Sequence, residues 1–195
     1  SHDYTAVILA DESLLLPLLN SIPEDYKSFN VTMGYPLVYT PLYSFFNKWL
    51  KIIDRITDKD SKNIDNEKVI YKNDLLELFR HPYFKLLLGE EDDVFIQPWI
   101  STYQYYFSFN EILDILPGKS FTVDKIFIFP KNTNELINGI LEINEILRQY
   151  FANTQGNGAI NFDVDTEYLY QFNKLVNIFR EFSDQHHENI SIKSF

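Results

Sequence analysis

Thr40-Pro-Leu-Tyr-Ser-Phe-Phe-Asn-Lys-Trp-Leu-Lys-Ile-Ile-Asp-Arg-Ile56 is the stretch on which the fold turns. Thr40 offers a capping hydroxyl, and Pro41 suits the first helical position, where a missing N–H costs little. Leu42, Phe45, Phe46, Trp49, Leu50, Ile53 and Ile56 then recur at helical spacing, so one broad face is apolar and must be covered. A helix this amphipathic belongs inside a helical body. It ends where Asp58-Lys-Asp-Ser-Lys-Asn63 turns polar.

Downstream the pattern repeats. Asn73 or Asp74 is placed to cap a helix through Leu75, Leu76, Leu78 and Phe79, and His81-Pro82 breaks it. Pro82 starts a short helix to Leu88, closed by Gly89. Val94-Phe-Ile96 and Lys125-Ile-Phe-Ile-Phe129 have strand propensity, and Tyr103 to Leu116 reads as helical up to Pro117-Gly118. Asn132 or Thr133 opens a long helix with Leu136, Ile137, Ile140, Leu141, Leu147, Tyr150 and Phe151 on one side. Asn153 to Asn161, with Gly156 and Gly158, is a loop. Asp165 caps a last helix bearing Leu169, Phe172, Leu175, Val176, Phe179 and Phe182. Aromatic side chains at helical spacing are core material.

Upstream, Thr5-Ala-Val-Ile-Leu-Ala10 is a continuous apolar run of the kind found in a covered strand. Asp11 or Ser13 caps a helix from Leu14 to Ser21, with Pro17 in its first turn and Pro23 beyond its end. Phe29-Asn-Val-Thr-Met33 reads as a second strand, closed by Gly34-Tyr-Pro36. Strand, helix and strand in about thirty residues make a βαβ unit with parallel pairing. The expected architecture is therefore α+β and predominantly α-helical: a small βαβ corner at residues 3–38 on a helical body at residues 39–195. Two strands need partners from elsewhere. With the abrupt start and finish, this points to a piece of a larger protein.

The 195 residues are 45% hydrophobic and carry no cysteine, which supports a real core and removes disulfides, thiolate metal sites and thiol nucleophiles. No apolar run reaches the roughly 20 residues of a membrane helix, no signal peptide opens the chain, and a cytoplasmic setting with no membrane partner is expected. The formal charge is −11, a poor basis for autonomous nucleic-acid binding. Neither a P-loop nor a dinucleotide-binding glycine motif is present, so no cofactor is expected in this chain. His186 and His187 are adjacent and diverge on a helix. His81 beside Pro82 suits packing. Glu90-Glu-Asp-Asp93 suits a solvated turn. Asp163, Asp165 and Glu167 are a candidate two-metal nuclease cluster, with a role at a helix start as the better reading.

One charge pattern is more directed. Lys48, Lys51, Arg55, Lys59 and Lys62 are spaced 3, 4, 4 and 3 residues apart, which aligns them on one helical stripe. Lys48, Lys51 and Arg55 are thus candidate DNA contacts through phosphate. The competing expectation is a solvent face paired with Asp54, Asp58 and Asp60. Gly34, Tyr35 and Pro36 are a candidate hinge, since glycine permits positive φ and proline restrains its neighbour.

The run from Thr5 to Pro23, then Asn30-Val-Thr-Met-Gly-Tyr-Pro-Leu37 and Thr40-Pro-Leu-Tyr-Ser-Phe-Phe46, resembles the AddB-type helicase–nuclease family, as does Asn73-Asp-Leu-Leu-Glu-Leu-Phe-Arg-His-Pro-Tyr-Phe84. Those proteins join an inactivated superfamily 1 helicase core to a PD-(D/E)XK nuclease. The resemblance implies the start of a second RecA-like domain followed by a helical insertion like the 2B subdomain. Ala10-Asp-Glu-Ser13 stands where active helicases carry a polar segment with an arginine, which fits an inactivated motor. Walker motifs, helicase motifs V and VI and the nuclease signature are absent from the chain. The implied role is a non-catalytic accessory domain in DNA end processing and recombinational repair. Its partners would be the rest of the parent chain, DNA and a partner helicase subunit, with ATP and magnesium confined to the parent. A protein-interaction scaffold without DNA contact is the alternative, and a free-standing metal-dependent nuclease the minor one.

Overall fold

The computed structural model describes residues 6–23, 31, 34, 36–57, 63–64, 67–88, 93–116, 124–127, 130–154 and 164–186. The fold is α+β and mainly α-helical. Helix α1 is Leu15–Ser21 and α2 is Pro41–Thr57. Strands β1 (Asn63–Ile64) and β2 (Glu67–Tyr71) lead into α3 (Lys72–Phe79) and α4 (Pro82–Leu88). Then come α5 (Gln97–Ser101), β3 (Tyr106–Ser108), α6 (Phe109–Ile115), α7 (Thr133–Thr154) and α8 (Val164–His186).

Helix α2 is the hub. Thr40 Oγ1 accepts from the Tyr43 N–H at 3.2 Å and donates to the Leu37 carbonyl at 2.6 Å, which fixes the start of the helix. Its apolar face, Leu42, Phe45, Phe46, Trp49, Ile52, Ile53 and Ile56, is buried throughout, each side chain contributing about 1.5–3 kcal/mol. Helices α3, α4 and α8 and strand β2 pack against it. Phe46 meets Phe172 of α8 at 4.7 Å, and Trp49 Nε1 donates to the Ile126 carbonyl. A second aromatic cluster joins Phe79, Phe84, Phe95, Trp99, Phe107 and Phe127. Helices α7 and α8 pair along their length, and buried Asn144 donates to the Leu169 carbonyl between them at 3.1 Å.

The sheet is antiparallel, in the order β1-β2-β3. In the second pairing, Val69 faces Ser108, Ile70 faces Phe107 and Tyr71 faces Tyr106. It lies elsewhere than the expected βαβ corner. Residues 6–9 form no strand, and Val7 and Ile8 are 64% and 91% exposed. An extended segment holds its backbone only against a partner, and none of the described residues supplies one. Of the second expected strand only Val31 is described, outside any strand; the rest lies outside the described residues.

Three further expectations change. Asp93–Ile96 forms a 3-10 turn that buries Ile96. Residues 124–126 form a helical turn that buries Ile126 beside Phe127, while 128 and 129 lie outside the described residues. In both places burial without a neighbouring strand overrides β propensity. The expected helix from Tyr103 begins only at Phe109. There Ser108 Oγ accepts from the Glu111 N–H at 3.4 Å and Glu111 Oε2 accepts from the Ser108 N–H at 2.7 Å, a capping box.

Candidate functional site

The polar edge of α2 meets the start of α3. Asp74 was expected as a cap, but α3 already begins at Lys72, so Asp74 sits inside the first turn with its carboxylate 3% exposed. Lys51 Nζ lies 3.1 Å from Asp74 Oδ1 and 3.2 Å from Glu77 Oε2, and the Arg55 guanidinium bonds Asp74 Oδ2. Hydrogen bonds to Asp74 and then Glu77 hold the Lys51 ammonium above its ordinary range. The carboxylate also stands at the positive end of α3, where the helix dipole favours it. Two of the three candidate DNA-contact residues are thereby discharged against α3. The partners shown for them come from another helix; Asp58, Lys59, Asp60 and Lys62 lie outside the described residues. Lys48 makes no ion pair among the described residues.

Behind this edge, His81 is buried between α3 and α4. Its Nδ1 accepts from the Tyr83 N–H at 3.2 Å, and its ring packs against Phe45 and Tyr83. Burial, and then the charge of Lys48, lower its pKa to about 4, partly opposed by a hydrogen bond to the Pro41 backbone. It is a neutral packing residue at the α2–α4 contact. Tyr83 extends the link, donating to Asp165 Oδ1 at 2.5 Å. Asp165 therefore serves as an anchor in the first turn of α8, and Glu167 accepts from Gln171 at 2.7 Å on the exposed side. Asp163 lies outside the described residues, as do residues 90–92, 156–158 and 187. Among the described residues no group of His, Asp or Glu is arranged to hold a metal ion, and no helix is long and apolar enough to cross a membrane.

At the expected hinge, Tyr35 lies outside the described residues. Gly34 has a φ outside the left-handed region, and a Cβ built there meets nothing within 4 Å, so its surroundings do not require glycine. Pro36 (φ −62°, ψ 125°) enters a 3-10 turn, Leu37–Tyr39, closed by Tyr39 N–H to the Pro36 carbonyl at 3.0 Å.

The feature that sequence reasoning missed is the loop between α5 and β3. Tyr103 and Tyr105 are 95% and 61% exposed. The loop is nevertheless pinned: Lys72 Nζ donates to the Thr102 carbonyl at 2.8 Å and lies over the Tyr105 ring. Gln104 Nε2 donates to the Tyr106 carbonyl at 2.7 Å and to Glu111 Oε1 at 2.8 Å. Tyr71 and Tyr106 lie side by side on the adjoining sheet face, ring centroids 5.6 Å apart. Three tyrosines within a few residues of Ser108, at 103, 105 and 106, were the available signal. In comparisons with family models, characterised proteins and solved structures, the chain matches none.

Proposed function

We propose that this chain is a non-catalytic accessory domain of a bacterial, cytoplasmic helicase–nuclease-like protein acting in DNA end processing and recombinational repair, and that it works by packing and protein docking rather than by gripping DNA through α2. The resemblance of residues 5–46 to the AddB-type family supports the parent process; ATP and magnesium would belong to that parent. The observation that carries the docking mode is the neutralisation of Lys51 and Arg55 by Asp74 and Glu77. Phosphate tracking needs cations free to displace counterions, and these are engaged. Tyr103 and Tyr105 supply what a docking surface needs: large amphipathic rings, the second under Lys72, on a loop whose backbone is tied at Thr102 and Tyr106.

Direct DNA guidance is the second reading, favoured by Lys48, whose charge has no acidic partner among the described residues. Fluorescence anisotropy with forked DNA at low and moderate salt separates the two. The docking mode predicts no salt-sensitive binding. Tight binding that collapses with salt, and disappears when Lys48, Lys51 and Arg55 are changed to alanine, would replace it with DNA guidance.

A further inference from the structure

Helix α8 carries two apolar stripes. Leu169 and Val176, seven residues apart, are buried in the core, and Ser183, seven further on, is buried too. A second stripe, Leu175, Ile178 and Phe182, is 55%, 55% and 49% exposed. Its spacing of 3 and then 4 is the seam of a two-stranded coiled coil, with Leu175 and Phe182 at a positions and Ile178 at d. Along one edge lie the flanking g positions, Lys174 and Glu181, both exposed. Neither takes part in an ion pair among the described residues. The opposite edge is occupied by Phe172 and Phe179, packed on the core.

We propose that this stripe is the contact between two copies of the chain, with the α8 helices antiparallel about a two-fold axis near Ile178. In antiparallel pairing, g positions face g positions. Lys174 lies four residues before Ile178 and Glu181 three after it, so each Lys174 meets the other copy's Glu181, and the pair forms twice. A parallel pairing sets Lys174 against Phe179 instead, which leaves its charge without an acidic partner. The surface is thus self-complementary in charge and in shape, as an isologous contact requires. Three half-exposed side chains per copy form a small interface, which gives a weak, concentration-dependent dimer.

Sedimentation velocity on the 195-residue chain tests this at physiological salt, where the net charge is screened beyond about 8 Å. The range should be roughly 1 to 200 µM, wide enough to reveal a weak dimer. The expected result is a reversible monomer–dimer equilibrium, with Ile178→Asp monomeric and unchanged in helical circular dichroism. Lys174→Glu alone and Glu181→Lys alone should each weaken association by about tenfold, since two attractive pairs become repulsive. An equimolar mixture of those two variants should associate again as a heterodimer. A monomer at every concentration overturns the proposal, as does a dimer indifferent to Ile178→Asp. Failure of the mixed charge variants to associate overturns the antiparallel register.

Discussion

Asp74 shows how a surface-looking charge pattern becomes structural. Its carboxylate is buried, while Lys51 and Arg55 remain about half exposed and reach it from α2. Removing Asp74 leaves two solvated cations; removing both cations leaves a buried charge with only the α3 dipole to offset it. The double variant Lys51→Ala/Arg55→Ala should therefore lose about 2–3 kcal/mol, less than a fully buried pair because water reaches the cationic ends. Urea denaturation checks this, and a loss below about 0.5 kcal/mol would put the pair with ordinary surface bridges. The stripe itself was legible, since Lys48, Lys51 and Arg55 follow helical spacing. Its counter-charge was not, because Asp74 is brought to it by the path of the intervening hairpin, which no local period encodes.

At the scale of elements, α2 was the most legible part, from Thr40 and Pro41 to Ile56, because cap, proline and apolar period agree. The chain around Ser108 was the least. Tyr103 to Leu116 contains enough apolar residues to suggest one helix, yet the capping box at Ser108 and Glu111 cuts it into a strand and a shorter helix. That signal is local and was available; the strand before it depends on pairing with β2, which is not. Ser108→Ala should cost about 1 kcal/mol and should fray α6, seen as faster amide exchange at residues 109–112 by mass spectrometry. Unchanged exchange there would mean that burial of Ile112, not the cap, sets the start of the helix. The expected N-terminal strand fails to form for the opposite reason. Ala6 to Leu9 has the composition of a covered strand, but composition cannot supply the neighbour that would cover it.

Across the whole molecule, His81 couples folding to pH. Its folded pKa of about 4 lies below its unfolded value near 6.5, so over that window the unfolded chain binds a proton that the folded chain refuses. Stability is fully present above about pH 6.5 and falls as pH drops toward 4, by roughly 2–3 kcal/mol in all. Glu145 acts lower down: hydrogen bonds from Arg148 and Gln149 hold it at about 2, so its contribution fades only below the ordinary glutamate range. Between pH 7 and 5 the slope should belong chiefly to His81, and His81→Leu should flatten it in denaturation curves. An unchanged slope in that variant would show that another group supplies the proton linkage.

The core of α2 is closed by residues that arrive late in the chain. Trp49 bonds the Ile126 carbonyl, Tyr83 bonds Asp165, and Phe46 packs against Phe172. During synthesis at about 5–20 residues per second, the apolar face of α2 must wait on the order of 10 s for α8 to follow it out of the ribosome. Through that interval Phe46 and its neighbours have no final lid. A nascent chain with that face uncovered should bind holding chaperones until α8 emerges.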